Sequence, residues 1–200
     1  RKSEFARLAL ACCNGMAVWK PLGLGYRDLA QNFFGTPTLL AGARSEAVAL
    51  VVDGSELAST DRQAELAHLA GALAQGNTRP ALVVIGAPMP VPDMADVGEV
   101  YFAPMINGQV NGDALAGLLA PFGTIVNAGS VAAVPVLNQV RRYGRTVIGA
   151  LADTRATPLG AALMTCFKVF DQVLAETPEA RTYCRANGVA EEQLITRFAA

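Results

Sequence analysis

Short runs of apolar residues alternate along this chain with stretches whose apolar positions recur every three or four residues. Residues 47–52 (AVALVV) end at Asp53-Gly54-Ser55, and residues 81–85 (ALVVI) end at Gly86-Ala87-Pro88. Residues 124–126 (TIV) end at Asn127-Ala128-Gly129-Ser130, and residues 146–151 (TVIGAL) run to Asp153-Thr154-Arg155. None of these runs alternates polar with apolar positions. A strand that is apolar throughout is covered on both faces, which is the condition of a parallel sheet. Residues 99–103 (EVYFA) predict a further strand, with Pro104 just past it.

Helical patterns lie between the runs. Thr60 and Gln63 have the spacing of a capping box, and Leu66, Leu69, Ala70 and Leu73 follow at helical intervals until Gly76. Residues 111–119 predict a short helix with Leu115, Leu118 and Leu119 inward. Residues 135–143 predict another, opened by Pro135, whose missing N–H is harmless in a first turn, and closed by Gly144. Leu159, Leu163, Cys166, Phe167, Phe170 and Leu174 mark one long helical face. Thr177-Pro178-Glu179 starts a new helix that Asn187-Gly188 ends, and residues 191–198 predict a last short one. Near the start, residues 26–34 read as helical.

Repetition of strand, helix and strand favours right-handed crossovers and three packed layers. The predicted fold is therefore α/β: a three-layer Rossmann-like domain with a mostly parallel sheet over residues 46–157. A mainly helical segment (1–45) precedes it and a helical tail (158–200) follows. A length of 200 residues suits one domain.

Composition adds a question about the surface. Hydrophobic residues make up 52% of the chain and charged residues 16%, against about 25% charged in an ordinary soluble domain. Mean hydropathy is +0.32. So little charge predicts an apolar surface covered by a second copy or a protein partner. Net charge is −1, and the densest basic cluster, Arg141, Arg142 and Arg145, is too small to neutralise a nucleic-acid backbone. No stretch approaches the roughly 20 apolar residues of a membrane-spanning helix. The opening RKSEFARLALACC is interrupted by Glu4 and Arg7 and reads as an amphipathic helix rather than a leader. Cys12, Cys13, Cys166 and Cys184 lack C-x-x-C spacing and predict free thiols in a cytoplasmic protein. With one histidine in the chain, no pattern of metal ligands emerges.

Candidate chemistry sits at the strand ends. In open parallel sheets, ligands bind beyond the carboxyl ends of the strands where strand order reverses. There Asp53 and Asp153 are the candidate catalytic groups, as bases or as holders of a cation. Ser55, Gly86, Asn127, Ser130, Thr154 and Arg155 are the candidate binding residues. Asn127 and Ser130 would orient a ligand, and Arg155 would clamp a phosphate or carboxylate. Helix N-termini at the same edge predict free N–H groups suited to an anion. The same residue types also serve turns and helix caps.

Other motifs are incomplete. Gly23-x-Gly25 lacks a third glycine, because position 28 is Asp28. The chain has neither a P-loop nor a G-x-S-x-G elbow. His68 falls with Asp61 and Glu65 on the solvent face of its helix, and Asp53 lacks the companion acids of a phospho-receiver. Asn107-Gly108 and Asn111-Gly112, with Met89-Pro90-Val91-Pro92 upstream, predict turns or a hairpin-like excursion acting as flap or interface. Two functions follow as expectations. One is a small-molecule-binding protein, extending to an enzyme, for an anionic or nucleotide-like ligand at the strand ends, with no cofactor specified. The other is a non-catalytic interaction or assembly subunit with a Rossmann-like or degenerate receiver-like fold.

Overall fold

A computed structural model describes residues 45–74, 78–150 and 169–198. Asp153, Thr154 and Arg155 lie outside the described residues, as do Cys12, Cys13, Cys166, Gly23, Gly25 and the helical pattern at 26–34. The described chain runs β1 (Ser45–Asp53), a 3-10 turn (Gly54–Ala58), α1 (Thr60–Leu73), β2 (Ala81–Ile85) and β3 (Val100–Ala103). A small hairpin follows, β4 (Met105–Ile106) and β5 (Gln109–Val110), then α2 (Gly112–Leu119), β6 (Phe122–Asn127) and α3 (Val134–Arg142). The last elements are β7 (Thr146–Ala150), β8 (Gln172–Leu174), α4 (Pro178–Ala186), a 3-10 turn (Glu191–Gln193) and β9 (Leu194–Ile195).

Seven strands form one sheet in the order β3-β2-β1-β6-β7-β8-β9. Every neighbouring pair in it is parallel. The interior strand β1 shows why its sequence is apolar without alternation. Ala49 and Val51 pack on one side with α2, α3 and α4, and Leu50 and Val52 pack on the other with α1. Successive side chains point to opposite faces, so both faces need apolar residues. The result is the three-layer α/β, Rossmann-like architecture. None of the described helices is long and apolar enough to cross a membrane.

Local differences from the sequence reading have physical causes. The cap of α1 is Ser59, whose Oγ accepts from Arg62 N, one residue before the predicted Thr60. Gln63 instead donates its side-chain N–H to Leu57 O at 2.7 Å, pinning the 3-10 turn to the helix. In α2 the buried residues are Leu115, Ala116 and Leu119, while Leu118 is only half-buried. The tail contains α4, capped by Thr177 as the sequence predicts, but it also extends the sheet by two strands. Leu174, which the spacing places on a helical face, lies in β8. An apolar run this short fits either period, and partners across the sheet decide between them.

Asp171 anchors the start of that extension. Its two carboxylate oxygens take Arg141 Nε at 2.6 Å and Val147 N at 2.9 Å, joining α3, β7 and the lead into β8. Arg145 is 3% exposed and donates to Ala120 O at 2.6 Å. Two of the three residues in the densest basic cluster therefore serve the fold. Asn107-Gly108 forms the turn of the β4–β5 hairpin, with φ of 52° and 77°. Positive φ at both central residues is what a tight hairpin turn of this hand requires. Asn111 caps α2 instead of turning.

Candidate functional site

The chain steps outward from β1 to β2 and β3, then returns to the other side of β1 to form β6. Strand order thus reverses between β1 and β6. In open α/β sheets ligands bind beyond the carboxyl ends of the strands at such a reversal. Asp53 ends β1, and Asn127 ends β6 in register with Val51. Because Asp53 continues the Ala49–Val51 face, its carboxyl is directed to the side of the sheet that carries α2 and α3.

A turn after β6 fixes that carboxyl. Asn127 Nδ2 donates to Ser130 O at 2.9 Å, and Asn127 Oδ1 accepts from Ser130 N at 2.9 Å. The intervening Gly129 has φ 97°, a conformation that favours glycine. Ser130 Oγ donates to Asp53 Oδ1 at 2.6 Å and accepts from Ala133 N at 3.1 Å. Asn127 and Ser130 are 1% and 0% exposed. Both are enclosed in the turn, and Ser130 holds Asp53, which is half-buried. Burial pushes the Asp53 carboxyl above the usual aspartate range. The Ser130 hydrogen bond opposes that shift, and the nearby Glu56 carboxylate adds to it.

The other predicted residues surround this pair or lie apart. Ser55 is exposed in the 3-10 turn that follows Asp53. Gly86 ends β2 with φ 145° and donates its N–H to Ala103 O at 2.9 Å. Gly54 is buried, and a Cβ there would sit 3.2 Å from both Ile85 O and Met89 Sδ, so the chain passes close to the end of β2. The structure brings Asp53, Asn127 and Ser130 together, with Ser55 adjacent in sequence. Asp153, Thr154 and Arg155 are outside the described residues.

The expectation of free helix N–H groups is not met at α3. The first turn of α3 does not present a row of free N–H groups. Ala133 N is taken by Ser130 Oγ, Val134 N by Val131 O at 3.2 Å, and Pro135 has none. An anion gains little from such a helix start. Sequence reasoning also missed Arg62. Its guanidinium binds Glu56 Oε2 at 2.8 Å, Glu65, and Ala128 O at 2.7 Å, tying α1 to the end of β6. The i,i+3 pairing with Glu65 is visible in the sequence, whereas the reach across 66 residues to Ala128 is not.

His68 is exposed, as its helical position predicts, and lies 3.2 Å from Glu176. Cys184 is a buried free thiol. Among the described residues, no group of three or more His, Cys, Asp or Glu is placed to hold a metal ion.

Ser130→Ala separates these roles. It leaves the buried Ala133 N–H without an acceptor, which costs about 1–3 kcal/mol. It also removes the bond that holds the Asp53 proton affinity down. Urea denaturation is expected to show the loss of stability, and a carbon-detected NMR titration is expected to show Asp53 titrating at higher pH than in wild type. Compared with known proteins, the chain matches no protein family, no curated protein and no solved structure.

Proposed function

We propose that this protein binds a small hydroxylated, nucleotide-like molecule at the carboxyl ends of β1 and β6, with Asp53 accepting a hydrogen bond from a ligand hydroxyl. The observation that carries this reading is the Asp53–Ser130 contact across the strand-order reversal. A carboxylate is held there at the expense of its own hydration by a buried turn. Perturbed carboxyls in a crevice are a mark of functional sites. The engaged amides of α3 and the neighbouring Glu56 argue for a hydroxyl group rather than a bare anion at this point. An anionic part of the ligand would depend on Arg155 instead. An aspartate with raised proton affinity is also equipped to take a proton from a bound hydroxyl, so the reading extends to an enzyme acting there.

A thermal-shift panel of nucleosides, nucleotides, sugars, sugar phosphates and dicarboxylates tests it. A ligand at one hundred times its dissociation constant stabilises the fold by about 2.7 kcal/mol. Shifts with hydroxylated compounds and none with dicarboxylates are expected. A flat panel, or one led by dicarboxylates, overturns the reading.

A second reading rests on a different observation. Met89, Met105 and Val131 are 36%, 45% and 36% exposed, on the loop that follows β2, in β4 just past β3, and on the loop that follows β6. Apolar side chains gathered at one edge suit a second copy of the chain or a protein partner. Sedimentation velocity showing a concentration-dependent dimer that Met105→Glu dissolves would favour this interaction role.

A further inference from the structure

The two edges of the seven-stranded sheet differ. One is β9, two residues long, and a strand that short offers a neighbour little to pair with. The other is β3, which pairs with β2 in unbroken register and without a bulge. Glu99 O accepts from Leu82 N at 2.9 Å, and Ala103 O accepts from Gly86 N at 2.9 Å. Backbone polar groups alternate sides along a strand. Glu99, Tyr101 and Ala103 therefore face β2, while Val100 and Phe102 turn their N–H and C=O away from the sheet. Among the described residues, nothing takes up those outward groups.

An open edge is ordinarily guarded by lysine, proline or a bulge. The sequence of β3 is Val-Tyr-Phe-Ala, with none of these inside it. Val100 is 37% exposed, and Met105, just past the strand, is 45% exposed. The edge also complements itself. In an antiparallel pair, two residues whose backbone groups point at each other exchange two hydrogen bonds. With Tyr101 opposite its own copy, Val100 of each chain meets Phe102 of the other, and every outward group of the two strands is bonded. No other register pairs both outward residues of both chains. This one sets a β-branched side chain beside an aromatic, a favourable cross-strand pair. Glu99, whose carboxylate accepts from the Tyr101 hydroxyl, then stands opposite Ala103 and not opposite a second acid. Net charge is −1, so two copies repel each other little.

We propose that β3 pairs antiparallel with β3 of a second copy, joining the two sheets into one about a two-fold axis at Tyr101. This deepens the interaction role above by naming its surface, and it is independent of the strand-end ligand site. Sedimentation velocity and residue-resolved amide hydrogen exchange, at low and high protein concentration, test it on wild type, Val100→Pro, Val100→Lys and Val100→Thr. Proline at 100 deletes an N–H that points out of the sheet, a place where an edge strand tolerates it. Val100→Lys keeps the backbone and adds a guarding charge, so it carries the test if proline disturbs the strand. Val100→Thr keeps both the N–H and the branched shape. Wild type and Val100→Thr are expected to dimerise. The dimer dissociation constant is expected to rise about tenfold or more in Val100→Pro and Val100→Lys, at unchanged circular dichroism. Exchange of the Val100 and Phe102 amides should slow about tenfold or more in the dimer, while those of Tyr101 and Ala103, which face β2, are slow in both states. Wild type that stays monomeric at every concentration overturns the proposal, as does a dimer in which the Val100 and Phe102 amides exchange as fast as in the monomer. A dimer that Met105→Glu dissolves and Val100→Lys leaves intact overturns the edge pairing but keeps the interaction role.

Discussion

Phe170→Ala is expected to destabilise the protein by about 3–5 kcal/mol, the range for emptying a large aromatic from a packed core. Phe170 is 1% exposed and is the largest of the fully buried side chains among the described residues. It lies just ahead of β8, and its ring rests on the backbone of β7. A Cβ at Gly149 would meet Phe170 Cδ2 at 2.8 Å and Cγ at 3.0 Å. Gly149 is therefore glycine to admit the ring. Gly149→Ala is expected to cost about 1–3 kcal/mol through overpacking. Because the two sites share one space, Gly149→Ala with Phe170→Leu should be less destabilised than the sum of the single changes. Urea midpoints at constant slope measure Phe170→Ala, Gly149→Ala, Phe170→Leu and the double variant. Additive losses would show that ring and glycine do not meet.

Asp53→Asn is expected to leave the fold at least as stable as wild type at pH 7 while removing ligand binding. Asparagine keeps the shape and still accepts from Ser130 Oγ through its carbonyl. Wild type carries instead a partly buried carboxylate whose proton affinity burial has raised above the ordinary value of 3.8. The sign follows from linkage. Between 3.8 and the raised value, the folded state holds more protons than the unfolded chain, so stability falls as pH rises through that window. The contribution of Asp53 is fully present below 3.8 and is lost above the folded value. Relative to Asp53→Asn, wild type should gain stability as the solution is acidified from pH 7 to pH 4. Paired urea denaturations across that range check it. Wild type gaining on the variant as pH rises would mean that the charged form is a structural group.

The parallel sheet was legible because burial on both faces leaves a mark in the sequence. Residues 47–52 contain no polar position, and the structure places them in β1, inside the sheet between β2 and β6. Capping of α1 was legible only to within a residue, since Ser59 and Thr60 carry the same hydroxyl and only backbone geometry chooses between them. β8 was not legible. Three residues hold no period, and the strand exists because β7 and β9 flank it. The candidate site divides in the same way. Asp53 and Asn127 stand out as polar residues ending apolar strands. The contact of Asp53 with Ser130 spans 77 positions and depends on β1 and β6 being neighbours. Nor could composition show that Asn127 and Ser130 are enclosed while Asp53 and Ser55 are not. That distinction comes from the way Gly129 bends the chain and lets Asn127 bond both sides of Ser130.

The most direct test of the central claim is the two-dimensional NMR spectrum of isotopically labelled protein, titrated with the strongest hydroxylated ligand, on wild type and Asp53→Asn in parallel. Wild type is predicted to show saturable shifts centred on Asp53, Gly54 and the 127–131 turn. Asp53→Asn is predicted to keep the spectrum of the folded protein and lose those shifts. Equal shifts in both proteins, or shifts confined to residues remote from the carboxyl ends of β1 and β6, would contradict the assignment of Asp53 to a ligand.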